Sequence, residues 1–115
     1  MKYLLLIFIF ISCKKEPLII IPEAVIDITD IKQTYNHILA IWDSAVIYYD
    51  IHNTGLSKIE NYIIWFTVET EYDKIVTINT KGSNIEPKTV RTGYINIYTM
   101  QEKYEKVYVK KYILY

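Results

Sequence analysis

The chain has 115 residues, a formal net charge of zero and a single cysteine. This length is enough for one domain, and one cysteine excludes an intrachain disulfide. The balanced charge argues against a nucleic-acid-binding domain, which needs a basic face for phosphate contacts, and the presence of only three glycines and three prolines argues against a disordered chain.

The first twelve residues have the pattern of an export signal. Lys2 supplies a positive charge, residues 4–11 form an unbroken apolar run, and Ser12 is a small residue at the end of that run. The run is too short for a transmembrane helix, which needs about 20 apolar residues. The sequence therefore predicts that residues 1–12 are a cleaved signal peptide, which leaves a net charge of −1 on the mature chain.

Cys13 makes this interpretation more specific. The stretch Ile11-Ser12-Cys13 resembles the lipobox of bacterial lipoproteins. In that family leucine usually stands where this chain has Phe10. The resemblance implies a diacylglyceryl group on the Cys13 thiol, cleavage before Cys13 and, in some members, acylation of the new amine. An ordinary signal peptide that leaves a free thiol, and an uncleaved membrane anchor, are the alternatives.

The same resemblance predicts where the protein resides. It implies a domain outside the cytoplasm that is held at a membrane of the cell envelope by the lipid on Cys13. Lys14 follows Cys13 in place of the aspartate that often retains such proteins in the inner membrane. The outer membrane is therefore expected where the cell has one.

Residues 13–23 are expected to be the lipidated cysteine and a tether. Pro17 and Pro22 bracket the apolar run 18–21, which is unusual for a flexible spacer. This run is expected to lie along the domain as an edge strand, or to rest near the lipid surface. Residues 24–115 form the predicted folded domain.

The sequence pattern of the predicted domain indicates a series of β-strands. Six stretches have strand character: 24–35, 44–53, 59–71, 75–80, 89–98 and 106–115. In the second stretch the odd-numbered apolar residues from Ala45 to Ile51 share one face. In the third the even-numbered residues from Tyr62 to Val68 do so. Both sets are predicted to point inward, since alternate residues of a strand face opposite sides.

Segment 31–42 has two interpretations. The alternation of Ile26 and Ile28 extends a strand toward it. Apolar residues at positions 31, 35, 38, 39 and 42 also fit helical spacing, and Asp30 would cap such a helix. Both a strand and a helix remain open for this segment.

Glycines and polar residues mark the predicted turns and one irregularity. Residues 72–74 and 81–84 are predicted turns between strands. In the fifth stretch, Val90 and Ile95 would both face inward only if a β-bulge at Gly93 inserts one residue between them. The sequence therefore predicts a bulge at Gly93.

Short strands with turn signals, and no alternation of strands with helices, favour an all-β sandwich. Three stretches resemble the FxLYD-type domains of bacterial lipoproteins: residues 48–55, the strand with Phe66 and Val68 that leads to Tyr72-Asp73, and residues 85–87. The Phe-x-Leu-Tyr-Asp string itself is absent. The resemblance covers residues 24–98 and implies an immunoglobulin-like sandwich of about six to seven strands. It transfers no functional residue.

No cluster of residues predicts a catalytic or metal site. His52 lies two residues from Asp50, but no nucleophile motif such as GxSxG supports a catalytic role. The acidic residues have no recognised metal-ligand spacing. Glu69 and Glu71 are interpreted as exposed charge rather than as a catalytic pair. The sequence therefore predicts no enzyme activity, no metal and no cofactor.

Aromatic side chains supply the remaining functional signal. Such rings can anchor a protein partner or stack on sugar rings when they point outward. Four aromatic side chains are predicted to point outward: Tyr48, Trp65, Tyr108 and Tyr112. Cross-strand pairing within a sheet and codon bias are the alternative explanations.

These features together predict a noncatalytic, membrane-anchored module that binds an unidentified protein of the cell envelope. A glycan-binding accessory lipoprotein and a small inhibitor or immunity lipoprotein are the alternatives. No nucleic acid is expected among the partners, because the mature chain is slightly acidic.

Overall fold

The computed structural model describes residues 21–115, and within this range the chain forms eight β-strands and no helix. The strands are β1 (Ala24–Lys32), β2 (Tyr35–Asn36), β3 (Ile41–Trp42), β4 (Ala45–Asn53), β5 (Ile59–Thr70), β6 (Ile75–Ile85), β7 (Val90–Ile97) and β8 (Tyr104–Leu114). The all-β prediction is confirmed. The predicted signal peptide, Cys13 and most of the tether lie outside the described residues.

Six of these strands form two three-stranded antiparallel sheets. The β4 sheet has the order β1-β4-β7, the β5 sheet has the order β6-β5-β8, and β2 pairs with β3 in a separate short hairpin. This distribution matches strands A, B and E and strands C′, C and F of the immunoglobulin arrangement. The predicted all-β sandwich is confirmed, with eight strands among the described residues.

The core lies between the inner faces of the two central strands, β4 and β5. The rings of Tyr49 and Phe66 meet there with centroids 5.0 Å apart, within the range of aromatic pairs. Burying each large side chain of this kind contributes about 1.5–3 kcal/mol. The residues predicted to face inward on both strands are buried: Ala45, Ile47, Tyr49, Ile51, Tyr62, Ile64, Phe66 and Val68.

Strand β6 is longer than the sequence predicts. The prediction of a turn at 81–84 is wrong, because β6 continues to Ile85 and pairs with β5 throughout. Gly82 lies opposite Tyr62, whose ring occupies the space that a Cβ on Gly82 would need. The glycine therefore permits close packing instead of forming a turn.

Gly93 has the same role in the β4 sheet. The prediction of a bulge at this position is wrong, because the pairing of β4 with β7 has a continuous register. Gly93 lies opposite Tyr49 and under its ring. Val90 consequently lies on the outer face of the sheet, where its side chain is exposed.

Segment 31–42 contains a hairpin, and the helical alternative is wrong. The apolar residues at its two ends belong to β2 and β3, which pair antiparallel. Asn36 Oδ1 closes the turn by accepting hydrogen bonds of 3.0 Å from the backbone N–H groups of Ile38 and Leu39. Ala40 has a φ of 55°, a left-handed conformation that an α-helix does not contain.

Strand β8 contains a bulge that reverses the facing of its last residues. Lys110 is the extra residue, since Val109 and Lys111 pair with consecutive residues of β5. One inserted residue moves every later side chain to the opposite face. Tyr112 therefore shares the inward phase, the reverse of its predicted facing, and Ile113 lies on the outer face.

The strands run between two poles of the sandwich. The chain enters at the near pole, where the Thr54 N–H donates a 3.2 Å hydrogen bond to the Glu23 carbonyl. The distal pole carries the β2–β3 hairpin, the β5–β6 turn and the β7–β8 loop. Because β1 spans nine residues, the poles are about 30 Å apart.

Candidate interaction surfaces

Groups with catalytic or metal-binding potential are dispersed within residues 21–115. No group of three or more histidine, cysteine and acidic side chains in this range is placed to hold a metal ion. His52 Nε2 lies 3.6 Å from Asp27 Oδ2 at an exposed position. The Ser57 hydroxyl is buried and has no hydrogen-bond partner among the described residues, so it does not pair with His52. The same range contains no helix that is long and apolar enough to cross a bilayer.

The structure does not bring the four predicted aromatic residues onto one surface. Tyr48 lies on the outer face of the β4 sheet, whereas Trp65 and Tyr108 lie on the outer face of the β5 sheet. These faces are on opposite sides of the sandwich. Tyr112 lies on neither outer face. It shares the inward phase of β8, and its hydroxyl is 3.5 Å from the carbonyl oxygen of Ala24 in the other sheet. Only Trp65 and Tyr108 therefore share a face.

The outer face of the β5 sheet is aromatic and basic. Lys111 Nζ lies 4.5 Å from the centroid of the Trp65 ring, and Lys106 Nζ lies 5.3 Å from the centroid of the Tyr108 ring. Both distances are within the range of cation–π interactions. The charged residues that alternate onto this face are Glu69, Lys81, Lys106 and Lys111.

The outer face of the β4 sheet is acidic and carries a tyrosine pair. The rings of Tyr48 and Tyr94 have centroids 6.1 Å apart, and Lys32 Nζ lies 5.3 Å from the centroid of the Tyr48 ring. Tyr94 is 67% exposed and was missed by sequence reasoning, although its position beside the inward Ile95 indicated an outward side chain. The charged residues on this face are Asp27, Asp30, Lys32 and Asp50.

The distal pole ends in an exposed apolar turn, residues 37–40, which we call the hairpin tip. Ile38 is 93% exposed and Leu39 is 65% exposed. Directly below them the Tyr35 ring contacts Trp42, with centroids 5.0 Å apart. The sequence does not reveal the tip, because both aliphatic residues also fit the spacing of a helical stripe. Exposed turns usually carry small or polar residues, so this tip is unusual.

Gln33 joins the hairpin to the β7–β8 loop. Its Oε1 accepts a 2.9 Å hydrogen bond from the Tyr104 N–H. Its Nε2 lies 2.8–2.9 Å from three acceptor oxygens, those of the Asp43 carbonyl, the Thr99 hydroxyl and the Glu102 carbonyl, which share its two hydrogens. One side chain therefore connects backbone groups on both sides of the distal pole.

Glu102 extends this network to the β5–β6 turn. Its carboxylate lies 2.6 Å from Lys74 Nζ and accepts a 2.6 Å hydrogen bond from the Thr70 hydroxyl. The interaction with Lys74, followed by that with Thr70, lowers the pKa of Glu102 below its usual value of 4.5, because both stabilise the charged carboxylate. The three elements of the distal pole are thus held together by side-chain contacts.

Comparison with known proteins assigns no family. No family model, curated protein sequence or solved structure matches the chain. The resemblance to bacterial lipoproteins therefore stays a prediction, and function is inferred from the chain's own residues.

Proposed function

We propose that this protein is a noncatalytic, lipid-anchored module that binds another protein of the cell envelope through its hairpin tip. The observation that carries this proposal is the exposure of Ile38 and Leu39 in an ordered turn at the distal pole. The proposal joins this observation to the lipidation expected at Cys13.

The hairpin tip has the chemistry of a small binding element. Two adjacent aliphatic side chains in water gain free energy when a partner covers them, about 1.5–3 kcal/mol for each that becomes fully buried. The turn is already fixed by the Asn36 side chain and, through the hairpin, by Gln33. A prearranged element loses little conformational entropy on binding, so more of this free energy appears as affinity.

The positions of the two poles fit an anchored protein. Lipid on Cys13 would hold the near pole toward the membrane, because the described chain begins there and Glu23 is bonded to that pole. Two acyl chains are enough for stable anchoring. The hairpin tip, about 30 Å away along the strands, would then point away from the membrane, where a partner in the envelope can reach it.

Capture experiments on the full-length tagged protein in bacterial membranes test the proposal. The tip variant carries Ile38→Ser and Leu39→Ser, and the matched control carries Leu56→Ser, which changes an 80% exposed leucine at the near pole. We expect one dominant envelope protein with the wild type and with the control, and loss of that protein with the tip variant. Circular dichroism checks that all three proteins are folded.

Two outcomes would contradict the proposal. Equal recovery of the partner by the tip variant and the wild type would exclude the hairpin tip as the binding element. Retention of all variants on peptidoglycan, with no enriched protein, would favour the glycan-binding alternative. A Cys13→Ser variant tests the anchor separately, since it retains the tip and loses only the lipidated position.

A further inference from the structure

We propose that copies of this protein pack side by side, with the outer face of the β4 sheet of one copy against the outer face of the β5 sheet of the next. This contact is separate from the hairpin tip, but it rests on the lipid anchor of the proposed function. In a crosslinking test, recovery of both cysteine variants in the membrane fraction distinguishes failure of the anchor from failure of the contact. In this contact, the aromatic residues on the two opposite outer faces of the sandwich would pack against each other between neighbouring copies.

The outer faces of the two sheets carry opposite charge. At the paired outward positions of the described strands, the β4 face carries three carboxylates and one lysine, and the β5 face carries three lysines and one carboxylate. The unpaired bulge residues of β8, Glu105 and Lys110, carry one charge of each sign and do not change this difference. Asp27 lies directly opposite Asp50 on the neighbouring strand. Like charges in this position destabilise a sheet, and a lysine from another copy would relieve the repulsion. Complementary faces of this kind favour a specific partner and orientation.

The order of residues along the strands also corresponds between the two faces. Moving from the near pole toward the distal pole, three successive rows on the β4 face contain Val25 and Val90, then Asp27 and Asp50, then Tyr48 and Tyr94. The corresponding rows on the β5 face contain Ile63 and Ile113, then Trp65 and Lys111, then Tyr108. Rows on one face of a sheet are about 6.8 Å apart. When the strands of both copies run in the same direction from near pole to distal pole, the row with aliphatic residues on one face meets the corresponding row on the other face. The charged rows and the tyrosine rows then meet in the same way.

The opposite orientation fits less well. Either orientation brings the row of Lys32 against a row that contains a lysine, the row of Lys106 in the parallel case and the row of Lys81 in the opposite case. The opposite orientation also places the carboxylates of Asp27 and Asp50 against Tyr108 and away from Lys111. Packing of two β4 faces against each other would bring acids together. The parallel, heterologous arrangement is the one that places a lysine, Lys111, against the row of Asp27 and Asp50.

This arrangement is compatible with a membrane anchor. Sheets that pack face to face keep their strand directions within about 30° of each other. The strands run from pole to pole, so parallel copies would stand side by side with every near pole toward the membrane. A heterologous contact also leaves one free face at each end, and it can therefore extend into an array.

The size of the contact determines where it can be observed. Four rows across three strands cover roughly 27 by 14 Å, or about 400 Å² for each copy. A standard stable interface buries about 800 Å² per partner. The contact is therefore expected to be weak in dilute solution and to form where anchoring raises the effective concentration.

Cysteine crosslinking of the full chain in bacterial membranes tests this contact. One tagged copy carries His52→Cys on β4, and a differently tagged copy carries Ile63→Cys on β5; both positions lie in the aliphatic row on a central strand. We expect a mixed disulfide dimer on oxidation and no dimer of either variant with itself. The wild type, whose one cysteine is Cys13, gives the background, and Lys58→Cys with Glu71→Cys, at opposite poles, is the control pair.

Charge exchange then tests the pairing. Asp50→Lys in the copy with His52→Cys should abolish the mixed dimer, and Lys111→Asp in the copy with Ile63→Cys should restore it. A mixed dimer no more abundant than the control pair, or one unaffected by Asp50→Lys, would overturn the proposal. All the substituted positions in this charge exchange are at the surface, so the variants are expected to fold, and circular dichroism checks this.

Discussion

The ring of Tyr49 lies directly over Gly93 on the neighbouring strand, where a Cβ would be 2.7 Å from both the ring Cζ and the hydroxyl oxygen. Tyr62 covers Gly82 in the same way in the other sheet. In both cases the tyrosine is on a central strand and the glycine is on an edge strand. The two rings therefore shield edge backbone that the glycines would leave uncovered.

Alanine at position 93 should destabilise the protein. A Cβ there requires the buried Tyr49 ring to move, and overpacking of this kind costs about 1–3 kcal/mol. We expect a lower urea midpoint for Gly93→Ala, and the same direction for Gly82→Ala. Thr92→Ala, one residue away on the exposed face, should change the unfolding free energy by no more than about 0.5 kcal/mol. Equal changes in the unfolding free energy for Thr92→Ala and Gly93→Ala would mean that the Tyr49 ring moves without an energetic cost.

The network at the distal pole should make stability depend on pH. The pKa of Glu102 is lowered in the folded protein, so its contribution to stability is complete above the usual value of 4.5. As the pH falls from 4.5 through the lowered pKa, the unfolded chain takes up the proton first, and the contribution is lost. The unfolding free energy of the wild type should therefore decrease in this range.

Unfolding of Glu102→Gln across the same range isolates this contribution from that of the other carboxyl groups. We expect a shallower loss of stability with this variant, because it has no proton to take up at position 102. Glu71→Gln, an exposed position, is the control and should follow the wild-type curve. Parallel curves for Glu102→Gln and wild type would exclude Glu102 as the group responsible.

Gln33 should be required for the distal pole to stay ordered. Leucine at this position leaves the Tyr104 N–H and the Asp43 carbonyl without their present side-chain partner, whereas the Glu102 carbonyl keeps the Thr99 hydroxyl as a donor. Leaving such groups unpaired costs about 1–3 kcal/mol. Urea unfolding followed by far-UV circular dichroism should show this loss for Gln33→Leu and only a small effect for the exposed neighbour in Thr34→Ala. Full stability in Gln33→Leu would mean that water replaces all these bonds.

Mass spectrometry should locate the lipid. Protein extracted from membranes is expected to begin at Cys13 and to carry the added mass of acyl chains. The Cys13→Ser variant should lack that mass, because serine has no thiol to receive the diacylglyceryl group. A wild-type peptide that begins at Met1, or one with a free Cys13 thiol, would contradict lipidation.

The central strands could be predicted because their signal is local. Both β4 and β5 alternate over four inward positions, and a half-buried strand is the structure that such alternation favours. The roles of Gly82 and Gly93 could not be predicted, because each depends on a tyrosine that another strand brings opposite. Segment 31–42 was ambiguous for a related reason, since strands of two residues have no periodicity of their own.

The candidate surfaces were predictable only in part. Alternation alone was enough to place Tyr48 and Trp65 outward. It could not show that they point in opposite directions, because that depends on β4 and β5 belonging to different sheets. The facing of Tyr112 depends on the Lys110 bulge, which is set by pairing with β5. Long-range pairing therefore decides which outward residues form a common surface.

The short hairpin also determines how the molecule should open. Strands of two residues are not stable alone, and the Trp42 N–H is bonded to the Gln101 carbonyl of the β7–β8 loop. The hairpin and this loop should therefore exchange their amide hydrogens as one unit, at a lower opening free energy than β4 and β5. A partner bound to Ile38 and Leu39 would slow exchange as far away as Glu102, so its protection footprint would be larger than its contact area.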